Sequence, residues 1–162
     1  MALNEHLRLF FLVFFATHIP ITLLIDAQGL LPPSLFPTAL RNLVLWYCDS
    51  YKDNLMRNPP LWFRSVLFAE LTIQLPLFFF FLYGLMRRDN RIRIPGLMYG
   101  SHTATTLVPI IAEFAFNSST SIPEKGWLIM IYAPYFVIPL LFAGVMIASP
   151  PFPTSNKKQR MR

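Results

Sequence analysis

Few charges, four long apolar runs and prolines inside each of those runs predict an all-α, polytopic membrane protein, a four-transmembrane-helix bundle around an internal pocket. The chain has 162 residues, of which 54% are apolar and only 14% charged. A soluble domain carries roughly twice that charged share, so a water-facing surface cannot be covered. The net charge of +6 does not mark a nucleic-acid partner, because the basic residues stand in short groups at the edges of apolar runs. The single cysteine, Cys48, excludes an internal disulfide framework and cysteine metal clusters.

A helix needs roughly 17 to 25 residues to cross a hydrocarbon core of about 30 Å. The four runs at about 7–27, 61–85, 94–116 and 127–148 meet that length. Within the first, no Asp, Glu, Lys or Arg occurs from Leu9 to Ile25, and its length and internal Pro20 and Asp26 argue for a span rather than a signal peptide. The second is interrupted by Arg64 and Glu70, the third by Glu113, and the fourth by no formal charge. Between the first two, Thr38 is expected to cap a short luminal interfacial helix in which Leu40, Leu43, Val44 and Tyr47 recur at helical spacing beside Trp46. Asn58-Pro59-Pro60 then predicts an N-cap and first-turn prolines for the second span. Residues 1–150 are expected to form the membrane domain, and 151–162 a disordered basic cytoplasmic tail.

Basic residues set the orientation. With four spans, both termini and the link Met86–Arg93 share one side and carry nine Lys and Arg against five on the other, so both termini are expected to be cytoplasmic. The sequon Asn117-Ser118-Ser119 then faces the lumen, too close to the third span for glycosylation to be expected.

The informative residues are those that hydrocarbon rejects. An ionised carboxylate at mid-bilayer costs on the order of 3 kcal/mol, so such a group faces the bundle interior and pairs or takes up a proton. Asp26, Glu70 and Glu113 are of this kind, as are His18 and His102. Glu113, near a span end, reads as a snorkelling group and His102 as a helix-helix hydrogen-bond partner. Antiparallel packing of the first two spans brings Asp26 toward Glu70, and two carboxylates meeting there are expected to share one proton. Gln74 lies one turn from Glu70, and Tyr99, His102, Thr106 and Glu113 form a stripe on the third span. Tyr132 and Tyr135 share a face of the fourth. No His-x-x-Glu-His or His-Glu-x-x-His spacing is present, so no metal is expected, and no cofactor either.

At these positions the sequence resembles a known family. His18-Ile19-Pro20-Ile21-Thr22-Leu23 with Asp26, Arg41-Asn42-Leu43 with Trp46-Tyr47, Lys52-Asp53, Pro60-x-Trp62-Phe63, Glu70-x-x-x-Gln74-Leu75-Pro76, Tyr99-x-x-His102-Thr103-x-Thr105-Thr106-Leu107-x-Pro109 and Tyr132-Ala133-Pro134-Tyr135 resemble the sigma-2 receptor family of the EXPERA group. That group of four-helix endoplasmic-reticulum proteins also contains the emopamil-binding sterol isomerase. The resemblance implies a homodimer of four-helix bundles, each with a lipid-accessible pocket for sterols and cationic amphiphilic amines. It further implies work in cholesterol homeostasis and trafficking alongside sterol-transport membrane proteins. Asp26 would be the counter-ion to an amine and Glu70 its protonated partner. Thr72 and Gln74 would contact sterol, while His18, Trp46, Tyr99, Thr106 and Tyr135 line the cavity. Asp53 would be a structural acid supporting the lid. Nuclear-envelope, lysosomal and plasma membranes are further expected addresses. Two alternatives stand beside receptor-like binding: a sterol double-bond isomerase using Asp26 and Glu70 as acid and base, and a ligand-free membrane scaffold.

Overall fold

The computed structural model describes residues 4–152, and among them every regular element is helical. Asn4 opens α1 (Glu5–Leu24) by accepting the His6 amide at 3.0 Å, and a 3₁₀ turn, Asp26–Gly29, continues it. The link that follows carries α2 (Thr38–Tyr51) and the single turn α3 (Asn54–Arg57). Next come α4 (Leu61–Ala69), a π-turn over Glu70–Gln74 and α5 (Leu75–Arg87), forming one bent rod. α6 (Arg93–Phe116) and α7 (Ile122–Ala148) complete the bundle, the latter opened by a reciprocal Ser121–Glu124 capping box.

Three stretches, Glu5–Gly29, Leu61–Arg87 and Ile122–Ala148, are long and apolar enough to cross a membrane. α6 has the length, about 36 Å, but Tyr99, Ser101, His102, Thr103, Thr105 and Thr106 make it more polar than the others. It packs most closely on α7, where Gly96 faces Phe142 and Met146, and Gly100 lies against the Pro139 carbonyl and Ala143. Small residues four apart let the two backbones approach.

Two apolar clusters hold the bundle. At the end where α1 begins and α7 finishes, Phe11, Phe15, Phe78, Phe81, Tyr99 and Phe142 are completely or almost completely buried. Their rings meet at centroid distances from 4.8 Å (Phe11–Phe142) to 6.4 Å (Tyr99–Phe142), many edge to face. Within hydrocarbon these rings hold the helices together by close packing rather than by leaving water. At the other end Val44, Cys48, Leu55, Phe63, Leu67, Leu107, Ile110, Phe114 and Leu128 pack together. The cavity described below lies between the two.

The expected link geometry differs in detail. Pro37, not Thr38, occupies the N-cap of α2, and the Thr38 hydroxyl accepts instead from Arg41 Nη2 at 3.1 Å. Asn58 ends α3, and Pro60 is the N-cap of α4, so the prolines precede the first turn rather than fill it. The tail also starts differently from expectation. Phe152 is buried in the aromatic cluster, and Asn90 clasps its backbone, donating to its carbonyl at 3.0 Å and accepting from its amide at 2.7 Å. Order therefore reaches Phe152, and the rest of the predicted tail lies outside the described residues. At the same end Arg88 pairs with Glu5 at 2.8 Å and Arg93 donates to the Ser149 carbonyl at 2.6 Å. Both ends of the described chain and the α5–α6 link are thus tied together.

Candidate functional site

A cavity of about 220 Å³ opens between α1, α4, α6 and α7, closed above by Tyr47 of α2 and Met56 of α3. Its polar lining is His18 and Asp26 from the first rod, Glu70 and Gln74 from the second, Thr103 and Thr106 from α6, and Tyr132 and Tyr135 from α7. The rest is apolar, and no Lys or Arg lines it.

The second rod owes its polar face to the π-turn. Pro76 has no N–H to donate to a carbonyl four residues back, and the Leu75 amide directly before it reaches the Glu70 carbonyl, five residues away. Glu70 opens this turn and Gln74 closes it, and both face inward. The wider turn also leaves Thr72 outside: it is exposed, and its hydroxyl donates to Phe68 at 2.7 Å. Thr72 is therefore not a cavity residue.

On α1 His18, Thr22 and Asp26 follow one another at intervals of four, a polar stripe one helix face wide. Thr22 is completely buried and donates to Glu70 Oε1 at 2.7 Å. His18 is 7% exposed and its Nε2 lies 3.5 Å from the same oxygen. Its ring is fixed by Phe78 at 4.7 Å and Tyr135 at 4.8 Å, while its Nδ1 is buried with no partner. Deeper in, Thr103 donates to the Gln74 side-chain oxygen at 3.0 Å, and no hydrogen bond is made by the Gln74 amide group.

Asp26 behaves differently from the other acids. Among the described residues it accepts no side-chain hydrogen bond and forms no ion pair, although it lines the cavity with Glu70. The direct Asp26–Glu70 hydrogen bond expected from the sequence is not present, because Glu70 turns to Thr22 and His18. Asp53, by contrast, is saturated. It is 0% exposed, caps α3 through the Met56 amide at 3.0 Å, and accepts from the hydroxyls of Tyr47 at 2.9 Å and Tyr132 at 2.8 Å. Burial and the Asp53 charge hold the Tyr47 phenol well above its ordinary range, so it stays a donor. This carboxylate knits α2, α3 and α7 into a cover.

Of the residues the sequence nominated, the structure brings Asp26, Glu70, Gln74, His18, Thr106 and Tyr135 to one cavity and sets three apart. Trp46 is 59% exposed on the outer face of α2, beside Leu43 and Leu45, because Val44 and Cys48 take the inner face. Tyr99 sits among Phe15, Phe78 and Phe81 below the cavity, its hydroxyl unpartnered. His102 makes no helix-helix hydrogen bond through Nε2, and Glu113 is exposed at the far end of α6. Missed were Thr22, Tyr47, Met56, Thr103 and Tyr132; the four-residue interval from His18 through Thr22 to Asp26 was the signal for the first.

The profile of EXPERA, the EXPanded EBP superfamily, matches residues 39–146. The chain belongs to the EXPERA family. Two curated relatives carry the name sigma intracellular receptor 2. The Homo sapiens protein is 38% identical over 160 residues, covering 91% of each chain, and the Xenopus tropicalis protein 40% identical over 159 residues, covering 93% of each. The efficient mitochondria targeting-associated protein 19 of Saccharomyces cerevisiae is 28% identical over 156 residues, covering 86% of this EXPERA chain and 97% of its own. The family match takes in α3 to α6 with most of α2 and α7, and begins after α1 and Asp26.

Proposed function

We propose that this EXPERA protein is an endoplasmic-reticulum membrane receptor whose cavity binds cationic amphiphilic amines and sterols, and that it works as a homodimer in cholesterol homeostasis and lipid transport. One observation carries the binding reading: a carboxylate, Asp26, faces an apolar cavity without a donor of its own. At low effective dielectric such a charge attracts a cation strongly, and the aromatic faces of Tyr132 and Tyr135 favour an ammonium. The receptor names of the relatives support the same reading. α6 crosses as the fourth span, its polar residues partly turned to the cavity and to α7. Arg8, Arg87, Arg88, Arg91 and Arg93 gather at the end where α1 begins and α7 finishes, which faces the cytoplasm. Sterol-transport membrane proteins are its partners in this scheme, and membrane lipid its surroundings.

Asp26→Asn tests the proposal. Amine binding should fall by at least a hundredfold while sterol binding persists; equal loss of both in a folded variant would refute the counter-ion role. A second reading, sterol double-bond isomerase, gains from the absence of an Asp26–Glu70 hydrogen bond, since two separate acid–base groups then face one cavity. Turnover of a delta-8 sterol by the purified protein, lost in Glu70→Gln, would establish it in place of the receptor reading.

A further inference from the structure

We propose that the amine this site takes from the membrane is a long-chain amino alcohol, a single-chain lipid whose ammonium and neighbouring hydroxyl enter the cavity while its hydrocarbon tail leaves sideways into the bilayer. The inference rests on the amine-binding reading and extends it to a ligand class.

Size is the first argument. At about 220 Å³ the cavity falls below the ~300–1,000 Å³ of sites that engulf a drug-sized ligand. A compact polar head fits; a longer body must continue outside. The walls show where it can go. Between α4 and α6, Phe63 and Leu67 pack on Leu107 and Ile110, and all four are buried. Between α1 and α7 the wall is Ile21, Ile25 and Ile131, each only partly buried. The aromatic contacts that bridge these two helices, Phe11–Phe142, Phe15–Phe142, Phe14–Tyr135 and His18–Tyr135, all lie on one side of that wall. A flexible chain can therefore pass beside Ile21 and Ile131 into lipid.

The polar groups supply the second argument. An ammonium satisfies Asp26, which has no donor, and reaches the Glu70 carboxylate. One turn from Glu70, the Gln74 amide makes no hydrogen bond while its oxygen is taken by Thr103, so it is a free donor facing the cavity. A hydroxyl oxygen is the acceptor it needs. Buried groups of this kind discriminate against ligands that leave them unpaired. An amino alcohol presents cation and hydroxyl on adjacent carbons, which matches a carboxylate and an amide one helical turn apart.

The test uses the full chain in phosphatidylcholine nanodiscs and radiolabelled 2-aminooctadecane-1,3-diol, with octadecylamine, the N-acetylated diol and a rigid drug-like amphiphilic amine as comparisons. The aminodiol should bind about tenfold more tightly than octadecylamine, and N-acetylation should abolish binding. Gln74→Leu should remove the aminodiol's advantage over octadecylamine, and slow maleimide labelling of the buried Cys48 reports an intact fold. Equal binding of aminodiol and alkylamine, or an unchanged preference in Gln74→Leu, overturns the ligand class. If the rigid amine binds through Asp26 and the aminodiol does not, this inference fails and the receptor reading stands; if no amine depends on Asp26, both fail.

Discussion

Replacing Asp53 and replacing Asp26 should move stability in opposite directions, though both are carboxylates in the same half of the bundle, Asp53 buried and Asp26 half-buried. Asp53→Ala orphans three donors: the Tyr47 hydroxyl, the Tyr132 hydroxyl and the Met56 amide. Hydrogen bonds to a charged acceptor contribute about 1.5–3 kcal/mol each, but the variant no longer buries a charge, and the net loss is about 3–5 kcal/mol. For a chain of this size each kcal/mol shifts Tm by about 2–4 °C, so a fall of about 10 °C is expected. Asp53→Asn keeps an acceptor oxygen and should fall about half as far. Asp26→Asn removes a charge that no protein donor stabilises and should leave Tm unchanged or raise it. Cys48 provides the assay. It is 2% exposed, and burial, reinforced by the Asp53 charge, pushes its thiol up to about 11, so a maleimide dye at pH 7 reacts with it only when the fold opens. A larger loss in Asp26→Asn than in Asp53→Asn would refute the division of these acids into one that binds ligand and one that holds the lid.

Helix packing and ionisation give further outcomes. Gly100→Ala drives a methyl into the Pro139 carbonyl and should lower Tm by several degrees, whereas a Cβ at Gly144 meets nothing within 4 Å, and Gly144→Ala should gain up to about 1 kcal/mol from helix propensity. Amine affinity should decline as pH falls and Asp26 takes up a proton, because the protonated acid no longer attracts a cation; an affinity flat down to the acid limit of folding would contradict the counter-ion role.

Long apolar stretches were the most legible part of the sequence, because spanning length is a one-dimensional property. The four long rods appear where the runs predict them, although α6 is more polar than its neighbours. Polar residues inside those runs were legible as a group, since hydrocarbon penalises each alike. Their pairing was not. Asp26 and Glu70 do reach one cavity, but whether Glu70 meets Asp26 or Thr22 depends on the rotation of the second rod, which the π-turn sets. That turn also carries Thr72, which only the resemblance had placed against sterol, to the exposed side of the rod. Trp46 was placed at the cavity by the resemblance alone; the interfacial helix carries apolar residues on both faces, and Val44 and Cys48 rather than Trp46 turn inward. Asp53 acquired its role only when Tyr47 and Tyr132, far apart in sequence, converged on it.

The aromatic cluster beneath the cavity has a bearing on traffic through the molecule. Phe11, Phe15, Phe78, Phe81 and Phe142 fill the bundle between the cavity and the end where α1 begins and α7 finishes. Such a plug leaves no room for a file of water or for a solute to pass. The cavity is a cul-de-sac: whatever enters must leave by the same door. On the proposed function, such a dead end would not drive flux from one face to the other, and its occupancy would follow the concentration of ligand in a single leaflet. The architecture suits a gauge better than a pump.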